Sequence, residues 1–149
     1  MDAGNTLADV QARLSAAVGR TAWGTALGIG SFLTVEFGDR IERPQGKAHG
    51  EFHLWVYQSA WRIEMQGAVL ASSEDPREAL EESVRYLDGR ALTAIAIEAP
   101  SLSATFSFTD GLVLRTFSVF TADVDHWMFY LPGGDVFTAG PGPTWIWSR

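Results

Sequence analysis

The chain of 149 residues contains no cysteine. That excludes a disulfide scaffold, an iron–sulfur cluster, a thiolate zinc site and a cysteine nucleophile. Lysine is nearly absent too: Lys47 is the only one, and the arginines are scattered along the chain. Nucleic-acid binding needs clustered cations that displace condensed counterions, so DNA, RNA and anionic membrane surfaces are excluded as expected partners. Charged residues make up 19% of the chain and the net charge is −7, against about 25% charged residues in an ordinary domain. No apolar run approaches the ~20 residues that span a bilayer. Met1 to Asn5 carry neither a basic region nor an apolar core of signal-peptide type, and the expected compartment is the cytoplasm. Phosphate-binding Gly-Lys-Ser/Thr, G-x-S-x-G and helical HExxH signatures are all missing. No cofactor, no metal and no catalytic residue is therefore assigned.

What the sequence does have is apolar and aromatic bulk. Hydrophobic residues are 46%, with six tryptophans and nine phenylalanines, enough apolar surface to offset chain entropy in one folded domain. Residues 1–149 read as a single α+β domain. Leu7, Val10, Leu14, Ala17 and Val18 recur at helical spacing and predict a helix over 6–18, capped by Asn5 or Thr6. A second helix is predicted from Asp75 as cap, Pro76 in the first turn and Glu78 completing a capping box, with Leu80, Val84 and Leu87 as its buried stripe and Gly89 as its stop. Strands are expected over 31–37, 51–57, 61–65, 92–97, 102–108, 112–119, 126–131, 136–139 and 144–147, with a polar loop over 38–50. Asp110-Gly111 and Pro132-Gly-Gly-Asp135 mark hairpin turns. No internal repeat is visible. Runs of strands interrupted by two helices predict a mostly antiparallel sheet. Two helices cannot cover both faces of so many strands, so the sheet is expected to curl into a half-barrel or roll, or to be covered by a second chain.

Three groups of residues bear on function. His49, Glu51 and His53 alternate as H-x-E-x-H. On a straight strand the two histidines lie roughly 13–14 Å apart at ~3.4 Å per residue, too far to share one metal ion. Glu36, Glu64 and Glu98 fall within strands. Glu36 lies among apolar neighbours that could raise its pKa and make it an acid or base; the competing reading is a solvated carboxylate, or one paired with an arginine such as Arg62. The third group is aromatic. Trp55, Tyr57 and Trp61 fall within one hairpin, and Trp127, Tyr130, Trp145 and Trp147 toward the C-terminal end. Most belong in a core, yet rings in excess of what a small core can hold would form an apolar interaction patch.

Gly30-Ser-Phe-Leu-Thr-Val-Glu-Phe-Gly38, His53-Leu-Trp-Val-Tyr57 and Trp61-Arg-Ile63 resemble a group of small bacterial proteins of unknown function. Some of these look immunity-like, that is, small acidic proteins that neutralise toxins. The resemblance spans roughly the first half of the chain, carries over no catalytic residue and implies protein binding. The expectation is thus an interaction domain that binds a protein partner or itself, as a homodimer, through an aromatic surface with an acidic rim: Trp55, Tyr57, Trp61, Trp127, Tyr130, Trp145 and Trp147, with Glu36, His53 and Glu64 beside it. The alternative is a small-molecule-binding protein or hydrolase-like enzyme whose pocket opens in the curled sheet near Glu36, His53 and Glu64. A pocket holding a perturbed carboxylate favours the second reading, a flat apolar patch the first.

Overall fold

The computed structural model describes residues 6–149. The first helix, α1 (Leu7–Leu14), starts where Thr6 and Asp9 form a reciprocal capping box and runs on into a 3-10 turn at Ser15–Ala17. Asn5, the other candidate cap, lies outside the described residues. Strands β1 (Ala22–Leu27), β2 (Leu33–Ile41), β3 (His49–Val56), β4 (Ala60–Met65) and β5 (Ala68–Ser72) follow. Then come α2 (Arg77–Ser83) with its 3-10 turn Val84–Leu87, and β6 (Leu92–Ile97), β7 (Ala104–Phe108), β8 (Leu112–Phe117), β9 (Trp127–Tyr130), β10 (Val136–Ala139) and β11 (Trp145–Ser148).

The strands form two antiparallel sheets rather than the single curled one expected, and no barrel closes among the described residues. One has the order β1-β2-β3-β9-β10-β11, the other β5-β4-β8-β7-β6. Strict alternation along the central strands gives each sheet one buried face: Val35, Leu54, Phe129 and Phe137 in the first, Phe106, Leu114, Ile63 and Ala71 in the second. These faces pack on each other. The Phe106 ring stacks on Phe129 at 6.3 Å and meets Trp127 edge-on at 5.7 Å, separations at which aromatic pairs add attraction beyond area burial. Helix α1 packs against β6, and α2 against β1 and β5. Val10 and Leu14 of α1, Leu80 of α2, and Ala17, Val84 and Leu87 of the 3-10 turns are buried.

The sequence hides an internal duplication that the fold displays. Each half runs helix, 3-10 turn, three-stranded meander and hairpin, the second half adding β11 at its end, and each half donates its hairpin to the other half's sheet. Thus β1-β2-β3 receive β9-β10, and β6-β7-β8 receive β4-β5. Buried Val10, Leu14, Ala17 and Ala22 correspond at constant separation to buried Leu80, Val84, Leu87 and Leu92. The backbone repeats the relation reciprocally. Gly19 N–H donates to Leu92 O and Gly89 N–H to Ala22 O; Ala22 N–H donates to Arg90 O and Leu92 N–H to Arg20 O. The Thr21–Ala91 bridge lies at the centre of this pattern. Trp61 and Trp127 are partners under the same relation. Both are buried, and their indole N–H groups donate to corresponding loop carbonyls, Ser31 O at 2.7 Å and Leu102 O at 2.9 Å.

Several local expectations need correction. The second helix has no capping box: it begins at Arg77, Pro76 holds the cap position without a side-chain bond, and Asp75 accepts instead from Ser72 N–H at 2.9 Å. Two strands stand outside the expected set: β1 at Ala22–Leu27, within a glycine-broken segment that reads as either a short strand or a loop, and β5 at Ala68–Ser72. The polar stretch 38–50 is loop only over residues 42–48; residues 38–41 belong to β2 and residues 49–50 to β3.

Candidate functional site

Alternation leaves Thr34, Glu36, His53, Trp55 and Tyr130 on the outer face of the first sheet. Glu36, His53 and Tyr130 are cross-strand neighbours in one row, and side chains so placed lie close enough to touch. The β2–β3 connection and the β9–β10 turn, Leu131 to Gly134, both leave the sheet on the same side of this row. Between them opens a cleft of about 670 Å³ that also takes in Ile41, Arg43, Lys47, Ala48 and His49. That volume lies inside the range of small-molecule sites, roughly 300–1,000 Å³.

The duplication explains why the cleft exists on this sheet. In the second half β7 and β8 are joined by the short turn Thr109–Gly111, whereas β2 and β3 extend further and carry a loop. This longer hairpin forms one wall. On the second sheet the corresponding outer face carries Glu64, ion-paired to Arg62 and to Arg115. Those two guanidiniums outweigh the effect of burial and hold the Glu64 carboxyl below its ordinary value. Glu64 is therefore on a different face from Glu36 and His53, and the expected three-residue pocket does not form.

Glu36 is the best-held group of the cleft. Its Oε2 lies 2.6 Å from His53 Nδ1, and its Oε1 accepts the Gly50 amide at 2.8 Å. The amide can reach it because the β2–β3 register slips between Phe37 and Arg40, the local bend of a β-bulge. Only glycine fits at position 50, since a Cβ there would lie 2.5 Å from Phe37 O. Burial would raise the Glu36 carboxyl. The His53 and Gly50 hydrogen bonds and the charges of His53 and His49 outweigh it, and the carboxyl titrates below its ordinary value. Of the two readings open for Glu36, the raised pKa is not found; the carboxylate is paired, with a histidine instead of Arg62.

The contact also fixes His53. With Glu36 ionised, a neutral imidazole donates from Nδ1 and leaves Nε2 as an acceptor. No described residue hydrogen-bonds Nε2, and His53 lines the cleft. The ring packs edge-on against Tyr130 at 5.3 Å; burial raises the Tyr130 phenol, which stays protonated near neutrality. The arrangement can accept a proton or hydrogen bond from a ligand, or donate one after protonation. His49 Nδ1 lies 2.8 Å from Gly50 O, and Glu51 is bound to the Asp39 amide at 2.8 Å and to Arg20 at 3.5 Å. The H-x-E-x-H residues thus share no partner. Among the described residues no three His, Asp or Glu side chains group as metal ligands.

The aromatic residues do not form one surface. Trp61 and Trp127 are core. Trp147 is half-buried, with Arg13 stacked over it at 3.8 Å and Phe137 at 5.3 Å, while Ile146, on the other side of β11, is the exposed residue. Trp55 and Tyr130 line the cleft, whereas Tyr57 lines a second hollow of about 590 Å³ with Phe32, Val119 and Phe120. The sequence singled out Glu36, His53, Trp55 and Tyr130, but not Arg43, Lys47, Gly50 or the Leu131–Gly134 wall.

Fold and site together define a duplicated two-sheet protein with a cleft on one face, floored by a carboxylate–imidazole pair. The chain matches no protein-family model, no curated protein and no solved structure. No helix among the described residues is long and apolar enough to cross a membrane.

Proposed function

We propose that this is a small-molecule-binding protein and that the cleft on the outer face of the first sheet is its ligand site. The observation that carries the reading is the Glu36–His53 contact at 2.6 Å within a cleft of about 670 Å³. A half-buried carboxylate that orients an imidazole presents one ring nitrogen to a ligand. A purely structural pair would not need a cleft beside it. Apolar walls with a few convergent polar groups are the ordinary composition of ligand sites. Equilibrium binding of a fragment library to the wild type, His53→Ala and Trp145→Ala tests it. Hits should weaken with His53→Ala and persist with Trp145→Ala; hits indifferent to His53 would contradict the assignment.

The partner-binding reading, immunity-like or homodimeric, has one observation in its favour. Val119 and Phe120 are exposed, 59% and 47%, beside the second hollow, and exposed apolar groups around a concavity suit a protein contact. Light scattering tests self-association: a dimer abolished by Phe120→Asp supports it, and a monomer at every concentration contradicts it.

A further inference from the structure

We infer that the cleft selects a small organic anion, one carboxylate or phosphoryl group on an apolar body, and that Arg43 and Lys47 are the residues that recognise its charge. The inference rests on the reading of the cleft as a ligand site and adds the class of ligand.

It follows from where the cations of this acidic chain go. Arg13, Arg20, Arg40, Arg62, Arg77, Arg90, Arg115 and Arg149 are all ion-paired to aspartate or glutamate. Among the described residues that leaves Arg43, Lys47 and Arg85 without an acidic partner. Two of these three line the cleft, on the same β2–β3 loop. In a protein with net charge −7, acidic partners are abundant, so two unpaired cations over one hollow stand out from the rest of the surface.

The anions of the cleft are, by contrast, already compensated. Glu36 is held by His53 and the Gly50 amide, and Glu51 by Arg20 and the Asp39 amide. A ligand therefore meets uncompensated positive charge at the loop and apolar surface below it, from Ile41, Trp55, Leu131 and Pro132. An arginine fork and a lysine point charge both suit carboxylate and phosphoryl oxygens. Protonated His53 can add a third donor through Nε2. A cationic ligand would face Arg43 and Lys47 without a free carboxylate to answer it.

Matched probes separate this inference from the reading beneath it. Hexanoate with hexanamide, 2-naphthoate with 2-naphthamide, and phenyl phosphate are titrated by calorimetry and by amide chemical-shift mapping. Each carboxylate should bind roughly tenfold more tightly than its amide, and the advantage should shrink as ionic strength rises. Arg43→Gln with Lys47→Gln should remove the advantage and leave amide binding in place, while Arg85→Gln should change nothing. Phenyl phosphate assigns the headgroup: tighter binding than the carboxylates points to phosphoryl, weaker binding to carboxylate. Amides binding as tightly as carboxylates, or a preference insensitive to salt and to the double variant, would overturn the anion inference while leaving the ligand site standing. Failure of every probe to perturb the cleft would overturn both.

Discussion

Replacing Glu36 by glutamine tests the core of the site at one atom pair. Glutamine keeps the shape but offers only one acceptor oxygen. In the native protein both carboxylate oxygens accept, one from Gly50 N–H at 2.8 Å and one toward His53 Nδ1 at 2.6 Å. If the glutamine oxygen keeps the Gly50 amide, its NH2 group faces His53, which must turn Nδ1 into an acceptor and carry its proton on Nε2. The neutral imidazole should therefore change tautomer, from Nδ1–H to Nε2–H, which long-range 1H–15N correlation reads directly. The lost charge-assisted bond should cost about 1–2 kcal/mol near pH 7. For a chain of this size each kcal/mol lowers Tm by about 2–4 °C, so a drop of several degrees is expected. The pH dependence follows from the direction of the shift. The folded-state carboxyl titrates below its ordinary value of 4.5, so the unfolded chain takes up the proton first. The stabilisation is complete above about 4.5 and is lost as pH falls through the lower folded-state value. Wild type and Glu36→Gln should converge in strong acid. Equal melting temperatures at pH 7, a gap that persists unchanged in strong acid, or an unchanged tautomer would refute the reasoning.

Two further predictions concern the frame that holds the site. Gly140 has φ +98°, and a Cβ there would lie 2.8 Å from the ring of buried His126 and 3.0 Å from Val124 O. Gly140→Ala should destabilise by about 2 kcal/mol or more by urea denaturation, whereas Gly142→Ala, with φ +56° and open space around it, should cost only about 1 kcal/mol. A smaller effect at Gly140 than at Gly142 would contradict the packing described. Trp61→Phe and Trp127→Phe each remove an indole N–H that satisfies a loop carbonyl, Ser31 O and Leu102 O. If the halves are structural equivalents, the two variants should lose similar stability, about 1–3 kcal/mol each, and widely different losses would count against that equivalence.

Much of the fold was legible in sequence, because two-residue alternation fixes which side chains face inward. Phe52, Leu54 and Val56 are buried along β3, as their spacing requires. The number of sheets was not legible. It depends on each half sending its hairpin across to the other half's sheet, and strand pairing between segments so far apart leaves no local pattern. The duplication was masked for a related reason. The helices and first strands keep constant separation, but the longer β2–β3 hairpin breaks the register of everything after it. That same hairpin builds the cleft, so the part of the chain that hides the repeat is the part that carries the site.

The site itself was half legible. Glu36 and His53 could be singled out as a strand carboxylate and a strand histidine, but their contact depends on the β2–β3 register and on a bulge that turns the Gly50 amide inward. The direction of the Glu36 shift stayed open in sequence because its apolar sequence neighbours suggest burial, while the neighbours that decide it come from the adjacent strand. Trp61 and Trp127, assigned to the surface, were misplaced for a complementary reason. Composition counts rings, whereas two facing sheets offer far more interior than one, and Trp61 and Trp127 are absorbed by it.

The central claim is that the cleft above Glu36 and His53 is where this protein binds its ligand. Amide and side-chain chemical-shift mapping on the uniformly labelled protein, titrated with 2-naphthoate, tests it most directly. The account predicts saturable shifts confined to Glu36, residues 43–55 and Tyr130 to Gly134. Shifts centred instead on Tyr57, Val119 and Phe120, or none at all at millimolar probe, would contradict it.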